Sequence, residues 1–288
     1  MTVNFKTIKI NHVEIFYRES GDLDKPVILL LHGFPSTSFM FRDLINDLSE
    51  KYRVIAPDYP GFGQSSSLSP NEFNYTFENL TNYIEQFIDA LGLKKLSLYM
   101  HAYGGPIGLR IAKKRPELIQ SLIIQNANTY LEGIGEALNP LVAYVQNQTP
   151  ETEKGARGFL DYGATLWQYY HGVKDTTKVS PDSVVIDQYY LTRPVNDEIQ
   201  LALFRDYGAN LEKYEEWQEY FQKKQPPTLI LWGKNDELFI PQGAKAYRQH
   251  LPEAKIYFIN SGHFILEEYH EYAAQLIDKF LTNLIGEI

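Results

Sequence analysis

Leu96-Ser-Leu-Tyr-Met-His-Ala-Tyr-Gly-Gly-Pro-Ile-Gly108 reads as a buried strand that turns sharply into a helix. The small residues Gly104, Gly105 and Gly108 let that helix pack close to the strand. In a nucleophile elbow, the residue at the tip of such a turn carries the attacking group. Here the tip is Ala102, and a methyl group cannot attack. The stretch therefore sets an expectation for the fold and a question about the chemistry.

Working outward from the elbow, the same alternation of strand and helix runs in both directions. Upstream, Phe5–Ile10 and Val13–Arg18 alternate polar and apolar residues around Asn11-His12, a hairpin pattern. Val27–Leu31 is an unbroken apolar strand of the kind buried on both faces of a parallel sheet. A helix at Phe39–Leu48 and a strand at Arg53–Pro57 follow. The segment Thr76–Leu91 places Phe77, Leu80, Ile84, Phe87, Ile88 and Leu91 on one helical face, and Gly92 stops it. Downstream, Leu122–Gln125 is a further strand. The alternation then pauses over 127–224, where Tyr, Trp, Gln and Glu become frequent. This stretch is too aromatic to be a disordered linker and reads as a helical insertion. Strands return at Thr228–Trp232 and Lys255–Ile259, with helices at Gln242–His250 and at the end of the chain. The expected fold is α/β, a mostly parallel sheet with right-handed crossovers. Residues 1–126 and 225–288 form its core, and 127–224 an inserted helical cap.

Composition narrows the function. Among 288 residues, 44% are hydrophobic, enough for a sizeable core. Lys and Arg total 27 against 36 Asp and Glu, and the net charge of −9 argues against nucleic acid or an anionic membrane surface as partner. The chain has no cysteine, which excludes disulfides and thiolate metal sites and fits a reducing compartment. The N-terminal segment alternates and lacks a signal-peptide core, and no run approaches a membrane span. A cytoplasmic protein acting on an apolar small molecule is expected, as a monomer or homodimer. No cofactor is implied: Gly61-Phe-Gly63 alone is a weak phosphate-loop signal, and no metal-ligand cluster stands out.

Ligands of open α/β sheets bind at the carboxyl ends of the strands. Those ends carry His32-Gly-Phe-Pro35, Gly233-Lys-Asn-Asp236 and Asn260-Ser-Gly-His263. Asp236 is expected to accept a hydrogen bond from one ring nitrogen of His263, leaving the other basic. The backbone N–H groups of Phe34 and Tyr103 are candidates for an oxyanion hole. His32 reads chiefly as a prop for its loop, with substrate contact as the lesser alternative, and Pro35 shares that loop. Asp58, in a Gly-rich turn, reads as structural. His101 should point away from the side of residue 102.

Together, His32–Pro35, Asp58–Ser65, Tyr103–Gly108, Leu231–Asp236 and Ser261–Phe264 give the chain a whole-length resemblance to α/β-hydrolases of the epoxide hydrolase and haloalkane dehalogenase branch. The order of elbow, acid and histidine matches that family's triads. The resemblance implies an Asp nucleophile at position 102, which attacks a substrate carbon and forms an ester that His263-activated water hydrolyses. It also implies cap tyrosines donating to an epoxide oxygen. Tyr169, Tyr170, Tyr189, Tyr190 and Tyr207 are candidates, and spacing does not choose among them. Three departures stand out: Ala102 lacks the nucleophile, Tyr103 stands where many members have a halide-holding Trp, and Phe34 where many dehalogenases have Asn. The last two favour epoxide opening over dehalogenation. Three readings follow: a hydrolase deprived of its nucleophile, in an inactive or substrate-trapping form; a general-base enzyme using His263 and Asp236; or a ligand-binding pseudoenzyme.

Overall fold

The computed structural model describes residues 2–286. Its strands are β1 (Asn4–Ile10), β2 (Val13–Ser20), β3 (Val27–Leu31), β4 (Arg53–Pro57), β5 (Leu96–His101), β6 (Ile119–Gln125), β7 (Thr228–Gly233) and β8 (Lys255–Ile259). They form one sheet in the order β1-β2-β4-β3-β5-β6-β7-β8. β2 pairs antiparallel with β1 and β4, and the remaining neighbours pair in parallel. β3, β5 and β7 are buried at every position. This explains why their sequences lack strict polar–apolar alternation: both faces meet helices.

On the core, α1 (Arg42–Leu48), α2 (Phe77–Ala90) and α3 (Gly104–Lys114) precede β6. Six helices then separate β6 from β7: α4 (Asn139–Gln146), α5 (Pro150–Arg157), α6 (Tyr162–Tyr170), α7 (Pro181–Leu191), α8 (Asn196–Leu211) and α9 (Tyr214–Lys224). The chain closes with α10 (Pro241–Ala246) and α11 (Ile265–Gly286). The helix α2 shows how local sequence sets an element. Thr76 caps it by accepting from the Asn79 N–H, its apolar stripe is buried, and Gly92 at φ +67 lies just beyond its end.

The elbow depends on backbone proximity. A Cβ on Gly104 would run into the Leu31 carbonyl of β3, so only glycine lets α3 start this close to the sheet. Gly104→Ala is expected to cost about 1–3 kcal/mol, read as a lower urea midpoint with unchanged slope. An unchanged midpoint would show that α3 can retreat from the sheet.

The inserted helices share the core rather than standing apart from it. Leu201, Leu203, Phe204 and Trp217 belong to the same buried cluster as Leu29, Leu31 and Ile107. Polar contacts fasten the insert in two places. Arg193 donates to the Gly63 carbonyl and Asn196 to that of Gly61, at 2.8 and 3.0 Å, so the Gly61-Phe-Gly63 turn is a docking point for the insert. At the start of α11, Glu267 and Glu268 accept backbone N–H groups of Ser180, Lys174 and Asp175. Among the described residues, no helix is long and apolar enough to cross a membrane, and no cluster of three metal-ligating side chains occurs.

Candidate active site

Ala102 follows the last residue of β5 and adopts φ +44, the left-handed region that side chains other than glycine, Asn and Asp rarely enter. The residue is buried in the wall of a cavity also lined by Phe34, Tyr103 and His263. The following turn begins α3 at Gly104, whose N-terminus concentrates partial positive charge beside position 102. The Gly33 backbone packs tightly against it: a Cβ there would lie 2.6 Å from that of Ala102. This contact brings the Phe34 segment beside the elbow. Among the described residues, the backbone N–H groups of Phe34 and Tyr103 meet no acceptor. Two free donors next to the elbow tip suit an anionic oxygen.

His263, in the turn between β8 and α11, and Asp236, after β7, meet at 2.7 Å through Nδ1 and Oδ2. The carboxylate is held from other directions as well. Asn126 donates to Oδ2 at 2.7 Å, and the Leu238 N–H to Oδ1 at 2.8 Å. Three donors on one buried carboxylate fix its orientation. With Nδ1–H committed to Asp236, Nε2 of His263 is the ring atom left to accept a proton.

Asn126 is a residue that sequence reading missed. It directly follows β6 at φ +43, a conformation asparagine tolerates, and its Oδ1 accepts from the Gly233 N–H at 3.0 Å. It thus ties the end of β6 to the acid loop. A polar residue where the apolar strand stops and the insertion begins was the available signal.

The other sequence candidates separate clearly. Tyr207, on α8, lines the cavity, with its ring 6.0 Å from that of Tyr103. Tyr169 lies outside the lining: its hydroxyl donates to buried Asp187 at 2.6 Å, and its ring stacks on Phe264. Tyr170 packs against the cluster around α11, Tyr189 is 66% exposed, and Tyr190 carries the Arg193 guanidinium over its ring. Pro35, joined to Phe34 by a cis peptide bond, also lies outside the lining. Asp58 accepts the Ser38 and Gln64 N–H groups at 2.7 and 2.8 Å, the work of a turn organiser. His101 is buried against His263 with ring centroids 4.6 Å apart. Burial, followed by the field of His263, holds its pKa well below 6.5, so it stays neutral.

His32 also lies outside the cavity lining. Its Nδ1 donates to the Gly33 carbonyl at 3.0 Å, its Nε2 faces the Tyr59 N–H at 3.4 Å, and its ring stacks on Tyr59. Burial lowers its pKa to about 4. The unfolded chain, with an ordinary histidine near 6.5, binds more protons between those values. His32 therefore contributes full stability above about pH 6.5 and loses it as pH falls towards 4, by about 3 kcal/mol in all. His32→Asn keeps a donor for Gly33 and removes the titration. Its stability should change less steeply from pH 6.5 to 5 than that of the parent, and equal slopes would refute the assignment.

The fold and this arrangement define the class. The alpha/beta hydrolase fold family model matches residues 26–269, and the chain belongs to that family. An uncharacterized hydrolase of Saccharomyces cerevisiae is 36% identical over 276 residues, covering 94% of each chain. A cis-3-alkyl-4-alkyloxetan-2-one decarboxylase of Shewanella oneidensis is 28% identical, covering 94% of this chain and 86% of its own. Other relatives include haloalkane dehalogenases and an epoxide hydrolase. Among solved structures, a haloalkane dehalogenase from Agrobacterium tumefaciens superposes with a TM-score of 0.82 at 22% identity, covering 97% of each chain; at that identity the likeness speaks for the fold.

Proposed function

We propose that this chain is the framework of a hydrolase for small apolar electrophiles, with its ester-forming step removed at Ala102. The observation that carries this reading is Ala102 itself. An L-residue is held at φ +44 on the tip of an elbow, in the wall of a cavity shared with a histidine paired to a carboxylate. Left-handed backbone costs an alanine roughly 1–2 kcal/mol, and glycine would avoid it. The conformation serves a side chain that must project into the cavity. Alanine keeps the direction and lacks the chemistry.

In this reading, residues 127–224 act as the cap, and the cavity beneath them takes the substrate. An aspartate at 102 would attack carbon and form an alkyl ester. Nε2 of His263 would then take a proton from water as the water attacks the ester carbonyl. The Phe34 and Tyr103 N–H groups would hold the resulting oxyanion. The names of the relatives suggest the electrophiles to try: epoxides, haloalkanes and four-membered lactones. With Ala102, the chain binds such molecules and does not form the ester.

The test is a paired turnover assay of the chain and its Ala102→Asp variant on epoxides, haloalkanes, haloacids, activated esters and a β-lactone. Activity in the variant alone supports the proposal, and the best substrate names the class. Equal activity in both, abolished by His263→Ala, would replace it with general-base catalysis. A folded variant silent on the whole panel would overturn it in favour of ligand binding.

A further inference from the structure

The cavity at the elbow is almost wholly apolar, walled on the insert side by Leu141, Val142, Val145, Phe159, Phe204 and Leu211. Two neutral polar side chains, Tyr207 and Gln168, interrupt that wall. Gln168, on α6, lines the cavity and is only 3% exposed. Its amide nitrogen meets no acceptor among the described residues. Its neighbours along the helix are engaged: Tyr169 with Asp187, and Thr165 with Gln188 at 2.9 Å. A buried amide without a partner is destabilising, and a half-turn of the terminal torsion exchanges its nitrogen and oxygen, so the nitrogen finds an acceptor once a ligand oxygen occupies the cavity.

We propose that Gln168 is the specificity-determining residue of this site, donating its amide N–H to an oxygen of the bound molecule. The inference rests on the reading of this cavity as the substrate site. It narrows the ligand to an apolar molecule bearing an acceptor oxygen, an epoxide or a lactone, in preference to an alkyl halide. Carbon-bound halogen is a poor acceptor and leaves the amide unpaired. A carboxamide does not release a proton, so Gln168 orients the oxygen and does not protonate it. Any proton delivered to a leaving alkoxide must come from another group, and the Tyr207 hydroxyl is in the same wall. The Tyr103 hydroxyl is likewise buried without a partner in the lining, on the core side at the start of α3. It is the competing donor that a test must separate.

The measurement is equilibrium binding, which needs no nucleophile and is independent of whether Ala102→Asp turns over. Styrene oxide, ethylbenzene and (2-bromoethyl)benzene are titrated into the Ala102 chain, followed by tryptophan fluorescence and checked by calorimetry. Styrene oxide is expected to bind about tenfold more tightly than either of the others, the scale of one buried hydrogen bond and the amide it satisfies. Gln168→Met keeps the volume and removes the donor. It should abolish the preference, leaving styrene oxide bound no more tightly than the other two and ethylbenzene bound no more weakly than before. The unliganded variant should also melt no lower than the parent, because an unpaired polar group has gone; a structural glutamine would instead lower the melting temperature. An undiminished preference in Gln168→Met, loss of the preference in Tyr103→Phe alone, or no preference in the parent would each overturn the proposal. So would failure of the parent to bind styrene oxide at millimolar concentration.

Discussion

Ala102→Asp is expected to raise turnover of the preferred electrophile by at least about 10⁴-fold over the Ala102 chain, since removing a nucleophile from an otherwise intact covalent catalyst costs up to about 10⁶. The site is prepared for the charge. A carboxylate at 102 would sit at the N-terminus of α3, beside the unpaired Phe34 and Tyr103 N–H groups and within the cavity shared with His263. Burial among apolar walls opposes its ionisation, while the helix terminus and the free donors favour it. Aspartate also accepts the left-handed backbone better than alanine does. The sharper prediction concerns the intermediate. In Ala102→Asp/His263→Gln, ester formation persists and its hydrolysis stops. Intact-mass measurement should then show one equivalent of substrate-derived mass on the protein. Ala102→Asp alone should show it only transiently, as a burst, and the parent chain not at all. A folded double variant that never acquires the adduct, under conditions where Ala102→Asp turns over, would rule out the ester route and move the chemistry to water activated by His263.

The sequence was most legible where one physical rule dominates. The runs Val27–Leu31 and Thr228–Trp232 could be placed at the sheet centre because burial on both faces removes alternation. Asp236 and His263 could be paired because strand ends converge at the crevice of a parallel sheet. The tyrosines between β6 and β7 show where such reasoning stops. Tyr169 and Tyr207 have the same chemistry on two helices of the insert, yet one is spent on Asp187 and stacked on Phe264, while the other lines the cavity. Helical periodicity assigns a face to each residue. It does not say which face of a six-helix insert meets the sheet. Gln168 was invisible for a related reason, since a glutamine on a helix is ordinarily solvated and only its burial without a partner makes it notable. Asn126 needed knowledge that β6 and β7 are neighbours, which follows from the sheet order.

Arg42→Met is expected to destabilise the protein by about 3–5 kcal/mol, the cost of leaving a buried charge without its partner. Arg42, on α1, makes a two-pronged contact with Glu267: Nη1 to Oε1 at 3.0 Å and Nη2 to Oε2 at 2.8 Å. The Glu267 side chain is only 2% exposed. The same carboxylate accepts the Ser180 N–H and the Ser183 hydroxyl of the insert, at 3.0 and 2.9 Å. Next to it, Glu268 accepts the Lys174 and Asp175 N–H groups and the Ser261 hydroxyl, two residues before His263. Two adjacent carboxylates at the head of α11 thus hold the segment 174–183 against the core and brace the histidine turn. Methionine fills the volume of the arginine stem, so the loss in Arg42→Met should come from the stranded carboxylate and not from a cavity. Arg42→Met/Glu267→Gln removes that charge and should recover about half of the loss or more, because neutral amide oxygen still accepts from Ser180 or Ser183. The comparison is made by urea denaturation at pH 7. A loss below about 1 kcal/mol in Arg42→Met would mean that water reaches Glu267 and solvates it as well as the guanidinium did. A double variant as unstable as the single one would place the strength of the clamp in the arginine's packing over the Phe39 ring, 4.8 Å away, instead of in the ion pair.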